Sequence, residues 1–326
     1  MPVSRRTVLQ IAASAATAMA LPAVRAQGTD RPLRILVGFA PGGATDVVAR
    51  TIAEPLGRLL GRAVIVDNRP GAGGMVATRL VKDAAPDGTT VMLTIDHAQV
   101  IIPLTYKQPG YDPAVDFTPL AGVANYYNAL VVSNSVGVKD FQGYAAWLKA
   151  NPSQGNYGVG AAGSVAQFSG QLIGSALGVH MEPVAYKGGA PLVQELIGGQ
   201  IPAGIVSLTD ALEHHRAGKL RILAVSGASR SKVEPTVPTF SELGLKGLEV
   251  NPWLAFFGPK GLPPAMVDAF STSVARILQQ KDTTERLASI GNEVLYASPE
   301  QLQREWVTAA ARHWAPVVKA SGWVLQ

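Results

Sequence analysis

From residue 33 onward, short apolar runs alternate with stretches whose apolar residues recur every three or four positions. Leu33-Arg34-Ile35-Leu36-Val37-Gly38-Phe39 reads as a strand. Val47 to Leu60 reads as a helix, because Val48, Ile52, Leu56 and Leu59 share one face. Pro55 inside that run has no amide hydrogen to donate and crowds the preceding turn, so it predicts a kink or an early end. Val64-Ile65-Val66 and Thr90-Val91-Met92-Leu93-Thr94 predict two more strands, separated by a helix from Met75 to Asp83 and the turn Pro86-Asp87-Gly88. Continuously apolar strands joined by helices predict a parallel sheet covered on both faces.

A second series begins with the strand Ala129-Leu130-Val131-Val132, followed by helices Tyr144 to Ala150 and Val165 to Leu177. Leu192 to Ile197 is a helix stopped by Gly198-Gly199. Ala203-Gly204-Ile205-Val206 is a strand, Ala211 to Ala217 a helix, and Arg221 to Val225 another strand. From Pro252 the pattern changes to Trp253–Phe257 and two helices, Pro264 to Gln279 and Pro299 to Lys319. The expected fold is α/β with two doubly wound lobes. Residues 27–127 and 251–326 form the first and 128–250 the second, with the C-terminal helices packing back on the first lobe.

The N-terminus lies outside this pattern. Ser4-Arg5-Arg6-Thr7-Val8-Leu9 precedes a modestly apolar run from Ile11 to Leu21 and then Pro22-Ala23-Val24-Arg25-Ala26. A basic head, an apolar middle and small residues before a cut describe a cleavable leader over 1–26, ending at Ala26. The paired arginines fit twin-arginine export, and a general secretory leader is the alternative. The mature protein is therefore expected in the periplasm. No later segment has 18 uncharged apolar residues, and no cysteine is present for a lipid anchor, so no membrane attachment is expected.

Charge excludes one class of partner. The formal net charge of +5 includes Arg5, Arg6 and Arg25; without them 25 basic residues face 23 acidic ones. That balance, with no basic run, argues against nucleic acid. With zero cysteines, disulfides, thiolate metal sites and cysteine nucleophiles are impossible. H-E-x-x-H, G-x-S-x-G and G-x-x-x-x-G-K-[ST] are absent. Adjacent His214 and His215 on a helix point apart, so no metal site is expected.

What remains is a set of glycine loops between strands and helices. Ala40-Pro41-Gly42-Gly43-Ala44-Thr45-Asp46 follows the first strand, where backbone donors at a helix start suit a carboxylate or phosphate. A tight turn capped by Thr45 or Asp46 is the plainer alternative, and Asp46 suits ordering the loop better than touching an anion. Asn68-Arg69-Pro70-Gly71-Ala72-Gly73-Gly74 repeats the pattern, with Arg69 either pairing a ligand or merely solvated. Gly158-Val159-Gly160-Ala161-Ala162-Gly163 matches the dinucleotide fingerprint, with Glu182 nineteen residues on, but no solid apolar strand feeds it. An anion site at the next helix, helped by Ser164, fits better than an NAD-dependent oxidoreductase. Tyr186-Lys187-Gly188-Gly189 and Ser207-Leu208-Thr209-Asp210 also precede helices. Asp96-His97 follows a strand and has no nucleophile beside it, so it reads as pocket lining or turn chemistry.

Several of these segments together resemble a known family. Val37-Gly38-Phe39-Ala40-Pro41-Gly42-Gly43 with Asp46, Ala49 and Arg50, then Asn68 to Gly74, Ala185-Tyr186-Lys187-Gly188, Leu196-Ile197-Gly198-Gly199-Gln200, Ala217-Gly218-Lys219-Leu220-Arg221 and Pro238 to Gly244 resemble the Bug-type receptors. These are the extracytoplasmic solute-binding components of tripartite tricarboxylate transporters. The resemblance implies two α/β lobes joined by hinge strands, of periplasmic binding protein type II, closing on a small carboxylate. It implies a binding protein without catalysis or cofactor, acting as a monomer that delivers its ligand to a membrane permease or, alternatively, to a sensor kinase. Carried over, Phe39, Pro41, Gly42 and Gly43 form the first lobe's anion loop, Asp46 supports it, and Thr94 and Asp96 line the same wall. Gly163, Ser164 and Asp210 complete the cleft from the second lobe. Gln167, Gln171, Ala185 and the Asp96-His97 pair depart from the family pattern. An acid beside the cleft implies a ligand with a cationic or donor group, or one less negative than a tricarboxylate.

Overall fold

A computed structural model gives the fold, with residues 31–323 described; the expected leader and its paired arginines lie outside the described residues. In chain order the strands and helices are β1 (Leu33–Val37), α1 (Ala44–Leu60), β2 (Val64–Asn68), α2 (Met75–Lys82), β3 (Thr90–Ile95) and α3 (Ile102–Thr105), the last preceded by a π-helical turn, His97–Ile101. Then come β4 (Phe117–Tyr126), β5 (Asn128–Ser133), α4 (Phe141–Ala150), β6 (Asn156–Val159), α5 (Val165–Leu177), β7 (Glu182–Ala185) and α6 (Gly189–Ile197). The chain continues with β8 (Ala203–Ser207), α7 (Leu208–Arg216), β9 (Leu220–Val225) and β10 (Trp253–Pro259). It ends with α8 (Pro264–Leu278), α9 (Lys281–Ser289), β11 (Asn292–Ala297), α10 (Pro299–Gln301), a π-helical turn, Leu302–Val307, and α11 (Thr308–Ser321).

The strands form two sheets, ordered β11-β4-β10-β3-β1-β2 and β7-β6-β8-β5-β9. Parallel pairing holds where the sequence shows βαβ alternation, between β1 and both β2 and β3, and between β6 and both β7 and β8. The other ladders are antiparallel, so both sheets are mixed. The reason is the crossing. β4 runs into β5 across Tyr127 alone, carrying the chain from the first sheet to the second, and β10 brings it back against β3 and β4. The two crossings are tied together: the Tyr126 amide donates to the Pro252 carbonyl at 2.9 Å, and the Ser226 amide to the Asn128 carbonyl at 2.8 Å.

Alternation along β1 explains how the first sheet is buried on both faces. Leu33, Ile35 and Val37 pack with Val48, Ile52 and Leu56 of α1 and with α8. Leu36 points the other way, into a core with Met75, Val81, Trp253 and Trp314. The second sheet is covered likewise, Leu130 and Val132 facing Tyr144 and Ile173, and Ala129 and Val131 facing Leu192 and Leu212.

Some sequence expectations fail at particular residues. α1 runs unbroken through Pro55 to Leu60 and ends at Gly61 in the left-handed region. An interior proline costs about 3 kcal/mol, and the fully buried Val48, Ile52 and Leu56 offset it. The helix expected over 299–319 is present over 299–321, with a π-helical turn within it at Leu302–Val307 that the spacing does not announce. β4 is hidden in the sequence by Pro119 and Gly122, both unfavourable in a strand; Pro119 is accommodated beside a register irregularity against β10.

Candidate functional site

The loops leaving β1, β3, β6, β7 and β8 converge on one cavity of about 100 Å3 between the two sheets. A buried water occupies roughly 10–15 Å3 on the same measure, so the space is large enough for a small organic solute. The position is the one open α/β sheets use, outside the carboxyl ends of parallel strands. Four helices begin at its wall: α1 at Ala44, α5 at Val165, α6 at Gly189 and α7 just before Asp210. Their first turns bring amide donors to the cavity, and no lysine or arginine stands in its lining.

The first glycine loop is held from behind. Asp46 is buried, and its carboxylate accepts from the Gly42 amide, Arg50 Nε and Asn68 Nδ2, each at 2.9 Å. Burial alone would push the Asp46 carboxyl up, but the bonds from Arg50, Gly42 and Asn68 hold it below its ordinary value. Asn68 also donates to the Phe39 carbonyl at 3.1 Å, so the second glycine loop serves the first. The contact leaves no space for a side chain, since a Cβ on Gly38 would strike the backbone of Gly74. Arg69 pairs with Asp67 at 2.8 Å and takes no part in the cavity lining.

At the cavity, the Ala44 amide donates to Asp210 Oδ1 at 2.9 Å and links the two sides. Ala44 is the first residue of α1 and Asp210 lies in the first turn of α7. Enclosure pushes the Asp210 carboxyl up to about 6, against the pull of that bond. Asp96 is 3% exposed, and burial pushes its carboxyl up to about 7 although its own and the His97 amides oppose the shift. His97 is pushed down to about 4 by burial, so its ring is neutral near pH 7. Neither of its nitrogens has a hydrogen-bond partner.

Of the residues the sequence nominates, Phe39, Gly43, Asp96, Ser164 and Asp210 line the cavity, and Pro41, Gly42, Asp46, Thr94 and Gly163 do not. Pro41 and Gly42 are exposed at the outer bend, and the Gly42 amide is turned back to Asp46. Thr94 stands opposite Ala255 within the ladder, and strand alternation hands the wall to its neighbour Ile95. Gly163 adopts φ +64°, and its missing side chain faces the Trp323 ring. Its amide donates to Gln167 Oε1 at 2.7 Å, shaping the turn before Ser164 caps α5. Sequence reasoning left out Tyr126 and Asn128 at the crossing, which carry no motif. His97, offered by the sequence with Asp96 as pocket lining or turn chemistry, lines the cavity, as do Gly188 and Gly189 of the loop after β7.

A strand does feed the Gly158–Gly163 loop: the four-residue β6, too short and polar to stand out in sequence. The dinucleotide geometry is still missing. Glu182 opens β7 beside Asn156, at the far end of the parallel pair from the loop, and lies 3.1 Å from exposed His180. His215 Nδ1 accepts from the Ile222 amide at 3.2 Å, a structural role. Among the described residues no cluster of three metal-ligating side chains occurs, and no helix is long and apolar enough to cross a membrane.

Comparison with known proteins agrees with this architecture. Residues 48–323 match the family described as the tripartite tricarboxylate transporter family receptor. Protein BugT of Bordetella pertussis is 33% identical over 293 residues, 90% of each chain. A solved structure of an R. palustris protein with adipate is 34% identical with a TM-score of 0.86, covering 90% of this chain and 97% of that one. MatC of the same genus and species, with bound malate, is 31% identical with a TM-score of 0.82, covering 88% of this chain and 99% of that one.

Proposed function

The chain belongs to the tripartite tricarboxylate transporter receptor family, and from that premise we propose that it is a periplasmic receptor for a small carboxylate. The observation that carries this reading is the cavity between the sheets, where four helix starts meet and no lysine or arginine stands in the wall. Main-chain amides and hydroxyls hold a carboxylate there, as charge-assisted hydrogen bonds do elsewhere. Relatives with adipate and with malate support a ligand of this size and chemistry.

In this proposal residues 27–127 with 251–326, and 128–250, act as lobes that hinge at the Tyr126–Asn128 and Ser226–Pro252 crossings. Phe39, Gly43, Asp96, Ser164 and Asp210 face the solute; Asp46 fixes the loop; Pro41, Gly42, Thr94 and Gly163 shape the walls. The solute stabilises the closed form because only there do both sides touch it, and that differential affinity drives closure. The leader over 1–26 exports the protein, by the twin-arginine route, and the closed monomer delivers its solute to the membrane permease without chemistry on it. The placement of Glu182 away from the 158–163 loop weighs against the nucleotide-dependent enzyme.

The test is thermal denaturation against four- to eight-carbon acids and nicotinamide nucleotides. A solute at 100 times its Kd stabilises the fold by about 2.7 kcal/mol. Stabilisation by an acid and not by nucleotides is expected; nucleotide binding with no response to any acid would overturn the reading.

A further inference from the structure

Trp323, just beyond the end of α11, reaches from the layer of one sheet to that of the other. α11 itself is anchored on the first sheet: Ala310, Trp314 and Val318 share one face and are buried in the core that holds Met75 and Trp253. Gly322 ends the helix at φ +65°, and the Trp323 amide donates to Ser321 Oγ at 3.2 Å. That turn lays the indole on α5, a helix of the second sheet. The rings of Phe168 and Trp323 meet edge to face, with centroids 6.2 Å apart and planes at 85°. The indole also takes the space that a side chain on Gly163 would need.

α5 is buried on two sides. Ala166 and Ile173 pack with Tyr157 and Ile205 of its own sheet, whereas Val165 and Phe168 join the core of the first. The indole closes over that second contact and is itself only partly covered, because it borders a groove lined by Gln171, Ser175 and Met181. Its seat bears on the cavity as well. Gly163 directly precedes Ser164, whose hydroxyl accepts from the Gln167 amide at 3.3 Å and which lines the cavity. The ring therefore braces, from behind, a turn that faces the solute.

Resting on the receptor reading above, we propose that Trp323 is an interlobe latch. Carried by the first lobe, it docks on Gly163 and Phe168 of the second only when the lobes are shut, and there it positions the Ser164 turn. Rotation about the two crossings draws α5 away from α11 and uncovers the ring. Solute and latch both favour the shut form, so whatever the ring adds to shutting appears in the solute's affinity. Losing an edge-to-face aromatic pair and its buried area makes shutting about tenfold less favourable. The ring docks after the solute has entered, so its loss speeds release and leaves capture unchanged.

The experiment is fluorine NMR of protein labelled with 5-fluorotryptophan and refolded free of solute, titrated with succinate, glutarate and adipate. Trp323→Phe identifies its resonance among the five tryptophans. That resonance should respond to solvent deuterium in solute-free protein and lose the response when an acid binds, while the resonance of fully buried Trp314 stays put. In calorimetry and stopped-flow mixing, Trp323→Ala should raise Kd about tenfold through faster release, and Trp323→Phe should recover part of the loss. Because the open form lacks the contact, Trp323→Ala should leave the melting transition of solute-free protein unchanged. A Trp323 resonance shielded equally with and without a bound acid would overturn the latch, as would an unchanged Kd or a lower solute-free melting temperature in Trp323→Ala. The ring would then be a fixed prop of α5, and the receptor reading would stand. If none of the acids binds, the receptor reading fails and the latch with it.

Discussion

Replacing Asp96 by asparagine should make the solute-free protein more stable at pH 8, an unusual direction for a buried polar residue. The side chain keeps its shape and loses its charge. An aspartate in an unfolded chain titrates near 3.9, whereas in the fold burial pushes Asp96 up to about 7. Between those values the folded protein holds a proton that the unfolded chain has released, so stability falls as pH rises and the loss is complete above the folded value. Three pH units at 1.36 kcal/mol each set an upper bound of about 4 kcal/mol, and local relaxation reduces it to about 2–4 kcal/mol. By pH 5 only about a third of the effect remains on the same arithmetic. His97, pushed down to about 4 by burial, works in the opposite sense. It is common to both proteins, so comparison at matched pH removes it. Urea denaturation of refolded, solute-free protein at pH 5 and pH 8 measures the difference. A gain equal at both pH values, or an asparagine variant less stable at pH 8, would refute the burial argument.

Further perturbations separate closure from loop support. Ala44→Pro removes the amide that reaches Asp210 while keeping α1, because proline is favoured at a first helical position and Gly43 before it is already extended. A hydrogen bond to a charged group contributes about 1.5–3 kcal/mol, so we expect solute affinity to fall by roughly 10–100-fold in calorimetry with little change in helix content. Asp46→Ala strips the Gly42 amide, Arg50 and Asn68 of their shared acceptor and should destabilise the fold by about 2–3 kcal/mol. Since the folded Asp46 is held below its ordinary value, its contribution is present above that value and is lost as pH falls through the folded one. The deficit seen at pH 7 in denaturant melts should therefore shrink in strong acid.

Much of this arrangement is legible in the sequence because the strand exits carry their own punctuation. Glycines beside Pro41 and Pro70 mark two of the loops, and the apolar runs at 33–37 and 64–66 place them at strand ends. What is not legible depends on distant partners. Asp46 gives no sign that Asn68 will meet it, and Gly163 looks like a ligand loop until Trp323 is seen against it. Antiparallel β10 and the proline-bearing β4 owe their places to the crossings, which no local pattern announces. Asp96-His97 stands out in the chain, but only the fold brings Asp210 to the same cavity.

Native mass spectrometry tests the central claim most directly. Protein purified from cells without added solute should carry one small acid per chain, displaced only on unfolding. Ala161→Phe, which puts a ring into the cavity wall, should arrive empty with its melting transition intact. A solute retained equally by that variant, or a wild-type protein that neither arrives loaded nor takes up any acid, would contradict the assignment of this cavity.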